Sequence, residues 1–325
     1  MRSFLLCAVR VGAALLLTAV LFPLTSGTAA AHGGGLEASP SVARILAVDP
    51  LVPGLAVAVI EVGARLRIVN DTGEPVQVVP AGPTRGVEPV VPPGTTARWA
   101  DPRIDAAMLP IPAEGVRAWS VPLLVGDREV TVRGEQVFPP APTAGLWWLA
   151  TAVAAVVAGM IGIMGVTRRW AALATAAITV LVVGAHVVHV LGAALVPDDQ
   201  AYLLVVVSGA GLGLAAWLAG AVGVVLTVLG RRFGLLLCGL AGAVLAMITA
   251  FGTVGFSNAV LAFGWSAGID RLTTVLTFGA GIGLFLTGFA VLRALTPDLP
   301  VGDDDPPPAG DAATADATRR SGSLR

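Results

Sequence analysis

The chain holds three histidines. Two of them, His186 and His189, lie three positions apart inside a long apolar stretch. At that spacing both rings project from one face of a helix. Ionisable groups within an apolar span are costly and are often kept for function, so the pair could serve a metal, a haem or a proton relay. The competing reading is a buried pair bonded to backbone carbonyls or neighbouring hydroxyls. At a rise of about 1.5 Å per residue His189 sits roughly 10 Å from the nearer end of its span. Asp198, Asp199 and Tyr202 follow just above it.

His32 is the second candidate. Residues 1–31 read as a signal peptide: Arg2 and Arg10 are the basic part, residues 11–22 the apolar part, and Ala29-Ala30-Ala31 the small-residue cleavage site. Cleavage there makes His32 the first residue. Its imidazole and free α-amine together suit Cu(II), and Gly33-Gly34-Gly35 leaves the backbone free to wrap a metal. Such a site needs further ligands and a supporting shell. Residues 33–144 contain no other His or Cys, so Met108 and carboxylates such as Asp101 are the remaining partners. The bland alternative is a flexible terminus that happens to begin with His.

A third set is soft: Met160, Met164, Met247 and Cys238. Thioether and thiol ligands suit Cu(I), and Met160 and Met164 share a helical face. Met is more often a core filler, and Met160 lies about 10 Å deeper than His189 at helical rise.

No enzyme constellation appears. The chain has no G-x-S-x-G elbow, H-E-x-x-H or P-loop. All 20 basic residues are Arg, which excludes lysine Schiff-base chemistry. A net charge of -1 argues against nucleic acid as a partner. Charged residues are only 13% of the 325, against roughly 25% in ordinary soluble proteins.

Those charges are unevenly placed. Residues 32–144 hold nine Arg and twelve Asp or Glu, whereas residues 145–293 hold six Arg and three Asp. The pattern divides the chain into a signal peptide (1–31), an extracytoplasmic domain (32–144), a transmembrane domain (145–294) and an acidic, disordered cytoplasmic tail (295–325). Five apolar stretches are long enough to span a lipid bilayer: 146–166, 171–196, 201–229, 233–254 and 272–292. Arg168, Arg169, Arg231, Arg232 and Arg293 follow the first, third and fifth, which places the carboxyl end inside and the amino-terminal domain outside. Asp198 and Asp199 follow the second span. Asp270 and Arg271 precede the fifth, and residues 255–270 read as an outer loop or a short interfacial helix. With no Glu, Lys or central Asp in the spans, an ion-coupled transporter lacks its usual acidic relay. Gly209 with Gly213, and Gly279 with Gly283, have the spacing that lets helix backbones approach in lipid. Residues 208–214 (SGAGLGL) and 278–284 (FGAGIGL) are alike enough to suggest a repeat, or a coincidence of composition.

Residues 32–144 read as β structure. Residues 54–62 are rich in Val and Ile, and 64–69 alternate apolar with basic residues, the period of a half-buried strand. Asn70-Asp71-Thr72-Gly73 reads as a turn returning the chain through 75–79 as the partner strand. Residues 80–97 read as a Pro- and Gly-rich loop, and 118–124 with 129–133 as a hairpin across Gly126-Asp127. Short strands at this spacing predict a small β-sandwich. The Pro139-Pro140-Ala141-Pro142 linker then leads to Trp147-Trp148, placed as interfacial aromatics.

Several stretches carry a likeness to known proteins: His32-Gly33-Gly34-Gly35, Val52-Pro53-Gly54-Leu55, Val59-Ile60-Glu61-Val62-Gly63, residues 66–73, residues 99–108, Trp119-x-Val121-Pro122-Leu123 and the Pro-rich exit. Together they resemble an uncharacterised family of actinobacterial multi-pass membrane proteins with an N-terminal β-sandwich. The resemblance covers most of the ectodomain and the general arrangement of spans. In that family the stretch after the tryptophan is His-rich around an Asp and an Arg before a Met. This chain keeps Trp99, Asp101, Arg103 and Met108 but has Ala100, Pro102 and Asp105 at the histidine positions. If the family binds copper, this member has lost much of that site. A His-first terminus on a β-sandwich ahead of membrane helices is also similar in architecture to copper-resistance proteins of the CopC and CopD type.

The resulting expectation is a non-enzymatic, multi-pass protein of the bacterial plasma membrane, linked to copper through His32, Met108 and Asp101. One alternative is an envelope scaffold whose ectodomain binds another envelope protein. The other is a haem-binding or redox subunit that uses His186 and His189.

Overall fold

A computed structural model describes residues 38–81, 90–104, 111–197 and 200–295. The expected signal peptide, His32, Asp105, Met108, Asp198, Asp199 and residues 296–325 lie outside the described residues.

The amino-terminal part is antiparallel β structure in two sheets. β1 (Val42–Asp49), β4 (Val76–Val78), β5 (Val90–Val91), β7 (Val116–Val125) and β8 (Arg128–Val137) form one sheet in the order β1-β8-β7-β4-β5. β2 (Leu55–Ile60), β3 (Arg65–Asn70) and β6 (Thr95–Trp99) form the other in the order β2-β3-β6. Alternation works as the sequence suggests: Leu66 and Ile68 of β3 point inward, while Arg65 and Arg67 are half-buried on the other face. Leu66 and Ile68 pack with Val76, Val121, Leu123 and Val132 from the opposite sheet, so the two sheets share one apolar core.

The β7–β8 hairpin turns across Gly126 and Asp127 as expected, with Val125 paired to Arg128, and it extends further in both directions than the sequence pattern suggests. Trp119 of β7 lies opposite Gly134 of β8. A Cβ at Gly134 would run into the Trp119 indole and the Arg44 carbonyl, so only glycine leaves room for the ring.

Two expectations need correction. β3 does not pair with residues 75–79; it pairs with β2 and β6, and β4 lies in the other sheet. The reason is Asn70, whose fully buried side chain builds a corner. Its Nδ2 donates to Glu74 O and Val91 O, both at 2.8 Å, and its Oδ1 accepts from Thr72 N and Thr72 Oγ1. That network carries the chain from one sheet to the other. The second correction is that residues 80–97 are not all loop, because they supply β5 and β6.

The helical part follows. Its elements are α1 (Ala144–Gly165), α2 (Arg169–Ala193), α3 (Tyr202–Ala210), α4 (Leu212–Val228), α5 (Phe233–Thr249), α6 (Ala267–Thr274) and α7 (Gly281–Leu295). A tight 3-10 stretch, Ala250–Phe256, extends α5, and a π-helical stretch, Val275–Ala280, joins α6 to α7. Among the described residues four helices are long and apolar enough to cross a membrane, and a fifth span is present if α3 and α4 count as one. Those two are bent by 70° at Gly211, whose positive φ ends α3. The stretches SGAGLGL and FGAGIGL thus each coincide with an interruption, one a break and one a π segment.

Close backbone packing holds the bundle together. Gly239 of α5 meets Gly288 of α7, and Gly159 of α1 meets Gly283 of α7. α2 touches all the other helices and is the central one. At one end of the bundle Arg169 donates to the carbonyls of Thr227 and Val228, capping α4. The β region sits at the other end, where Ser39 and Val260 form an antiparallel bridge.

The last span begins earlier than expected. Ser266 caps it, its Oγ accepting from Ile269 N at 3.3 Å, and helix runs from Ala267. Asp270 and Arg271 therefore lie inside the helix, and both are buried.

Candidate functional site

The polar centre of the helical part lies at the end of the bundle nearest the β region. His189 stands in the last turns of α2, and Asp270 in the first turn of α6. Their side chains meet at 2.7 Å, Nδ1 to Oδ1, with 19% and 12% of the two side chains exposed. With the Asp270 carboxylate accepting, the ring proton sits on Nδ1 and the lone pair is on Nε2. The ring of Phe263 stacks on the imidazole, centroids 6.1 Å apart at 18°. Asp270 is anchored from behind, its backbone oxygen accepting from Thr273 Oγ1 and Thr274 Oγ1. The neighbouring Arg271 turns to backbone instead, donating to Gly255 O at 2.8 Å and to Asn258 O at 2.7 Å.

His186, one turn earlier on the same face, has a different partner. Trp217 of α4 donates its indole N–H to His186 Nδ1 at 3.1 Å. An indole nitrogen can only donate, so His186 Nδ1 must offer its lone pair, and a neutral ring carries its proton on Nε2. The two histidines are thus held in opposite tautomers, their ring centroids 6.3 Å apart. Gly213, one turn before Trp217 on α4, makes room for this ring: a Cβ there would lie 2.7 Å from His186 Cε1.

This arrangement separates the roles the sequence had grouped together. A metal or haem iron at His186 Nε2 needs a lone pair there, and the indole bond puts a proton there instead. His189 Nε2 offers a lone pair backed by a carboxylate, the arrangement that steadies a proton acceptor or a single metal ligand. Among the described residues no group of three or more His, Cys, Asp or Glu side chains is placed to hold a metal ion.

The other candidates resolve differently. His32 and Met108 lie outside the described residues. Asp101 is fully buried with both oxygens occupied. Oδ1 accepts from Arg103 N at 2.9 Å and Nε at 2.8 Å, and Oδ2 from Arg103 Nη2 at 2.7 Å and Trp99 Nε1 at 3.1 Å. Burial alone would raise its pKa, but the Arg103 and Trp99 bonds outweigh it and hold the carboxyl below its ordinary value. Asp101 therefore works as a strut of the β region. The soft set does not gather either: Met160 is 60% exposed on the outside of α1 and Met247 41% on α5, whereas Cys238 is fully buried.

Sequence reasoning found His186 and His189 but missed Asp270, Trp217 and Phe263. Asp270 was expected ahead of the last span, in an outer loop or a short interfacial helix, with Asp198 and Asp199 as the nearer acids. The Ser266 cap was the available signal, since it starts the helix before Asp270. With Asp270 inside that helix, the absence of an acid from the spans no longer argues against an acidic relay. No protein-family model matches the chain, and no curated protein or solved structure matches it.

Proposed function

We propose that this is a non-enzymatic, multi-pass protein of the bacterial plasma membrane that binds a proton at His189 and Asp270 from the outer side. The observation that carries the reading is the 2.7 Å bond between His189 Nδ1 and Asp270 Oδ1 within the helical part. Two titratable groups in an apolar bundle cost several kcal/mol of desolvation unless paired. Apolar side chains would fill that space more cheaply, and ionisable groups placed within an apolar bundle commonly serve function. The pair joins two helices, so a proton arriving there changes a contact between elements. Interrupted helices favour the same reading, because the break at Gly211 and the π segment both flank α2, and such interruptions recur at membrane binding sites.

The proposed orientation follows the arginines. Arg168, Arg169, Arg231 and Arg232 gather at the end away from the β region, which is the cytoplasmic end by the positive-inside rule. The β region is then an extracytoplasmic sandwich delivered by the N-terminal signal peptide, and the pair lies in the outer part of the membrane.

Infrared difference spectra of the full chain in lipid nanodiscs test the reading. Stepping from about pH 5 to about pH 8, the range in which histidine ordinarily changes charge, should change an imidazole band and a carboxylate band together. His189→Gln should remove both changes. A native chain without the coupled change, or a variant that retains it, overturns the proposal.

A further inference from the structure

Residues 257–266 connect the pair to the β region. Val260 exchanges two backbone hydrogen bonds with Ser39, at 2.8 and 3.0 Å, just ahead of β1. Arg271, adjoining Asp270, donates to Asn258 O and Ala259 O. Phe263 stacks on the His189 ring. Gly264 N donates to Gly192 O at 2.9 Å, one turn beyond His189. A single stretch of chain therefore touches the β region at one point, His189 at another, and Arg271, next to Asp270, at a third.

From this we infer that residues 257–266 form a pH-sensitive strap: the charge state of the His189–Asp270 pair sets how firmly the β region is held on the helical bundle. The inference rests on the proton-binding reading above. Protonation at Nε2, by a proton from water on that side, makes His189 an imidazolium. The cation pairs with Asp270 and lies against the face of Phe263, where a ring quadrupole attracts positive charge. The attraction to Phe263 holds the middle of the strap, because Phe263 belongs to it. Loss of the proton takes the positive charge from the face of Phe263 while the Nδ1–H bond to Asp270 remains, leaving the strap to Arg271 and its backbone bonds. The strap is therefore tight in acid and loose in alkali.

Among the described residues the neighbouring charges are few. Asp270 and Arg271 face the ring from α6, and His186 is the titratable neighbour on α2 itself. On α3, Tyr202 donates its hydroxyl to Leu191 O at 3.3 Å. α1 and α4 bring no titratable side chain, α5 brings only Cys238, and Arg293 of α7 sits at the opposite end of the bundle. The strap contains no titratable residue. Among the described residues, a pH response in this region thus traces to the two histidines and Asp270.

Amide hydrogen exchange on the full chain in nanodiscs, corrected for intrinsic rates, reads the strap directly. Between about pH 5 and about pH 8, protection at Ser39, Val260 and Gly264 should fall about tenfold while that of the β7–β8 ladder stays constant. Phe263→Leu keeps the pair but removes the stacking ring, so its protection should no longer depend on pH while its infrared bands still change. Constant protection in a native chain whose bands change overturns the strap and leaves the proton site standing. A native chain whose bands do not change overturns both. A Phe263→Leu chain that keeps the full pH dependence of protection also overturns the strap.

Discussion

Residues of similar chemistry have come to different uses here, and hydrogen-bond partners decide which. Asp101 and Asp270 are both buried carboxylates. Asp101 is enclosed by four donors from Arg103 and Trp99, which fixes its charge and leaves no lone pair directed elsewhere. Asp270 meets an imidazole, whose second nitrogen can still take a proton. For Asp101 the linkage has a definite sign. Its folded pKa is depressed, so its stabilising contribution is fully present above the unfolded value of about 3.9 and is lost as pH falls through the folded value. Asp101→Asn should destabilise the β region by about 3 kcal/mol at neutral pH, because it leaves Arg103 without its counter-charge. Denaturant unfolding followed by Trp99 and Trp119 fluorescence checks this. The deficit should shrink in strong acid; a deficit that persists undiminished there would mean that the charge is not what stabilises.

At the level of elements, local patterns could be read from the sequence and long-range partners could not. The alternation of residues 64–69 and the Gly-Asp turn gave β3 and the β7–β8 hairpin. The apolar runs gave the spans to within a few residues, apart from the 70° break at Gly211, which looks like any other glycine in a run of small residues. β1, β5 and β6 were missed: β5 is two residues long, and the others lie in segments without a clean period. The side chain of Asn70 decides that β3 and β4 belong to different sheets, and its bond to Val91 O spans 21 positions, beyond any local pattern. The same limit explains the site: His186 and His189 share one helix and were visible, whereas Asp270 lies 81 positions from His189. The hairpin carries its own prediction. Gly134→Ala forces the Trp119 indole and the edge strand β1 apart, and should cost about 3 kcal/mol by overpacking. Exchange protection in β1 and β8 should fall accordingly, and unchanged protection would show that the ring has room to move.

The whole molecule joins a two-sheet β region to a helical bundle through the linker before α1 and the bridge between Ser39 and Val260. Its polar centre lies near that junction, at the end of the bundle away from the paired arginines. The claim on which the rest depends is that neighbouring histidines on α2 are held in opposite tautomers, leaving His189 as the proton acceptor. Nitrogen-15 NMR of histidine-labelled protein in nanodiscs at about pH 8, where an ordinary imidazole is neutral, measures this directly, and the chain contains only three histidines to assign. The account predicts that His189 carries its proton on Nδ1 and His186 carries its proton on Nε2. A proton on Nε2 of His189, or on Nδ1 of His186, would contradict it.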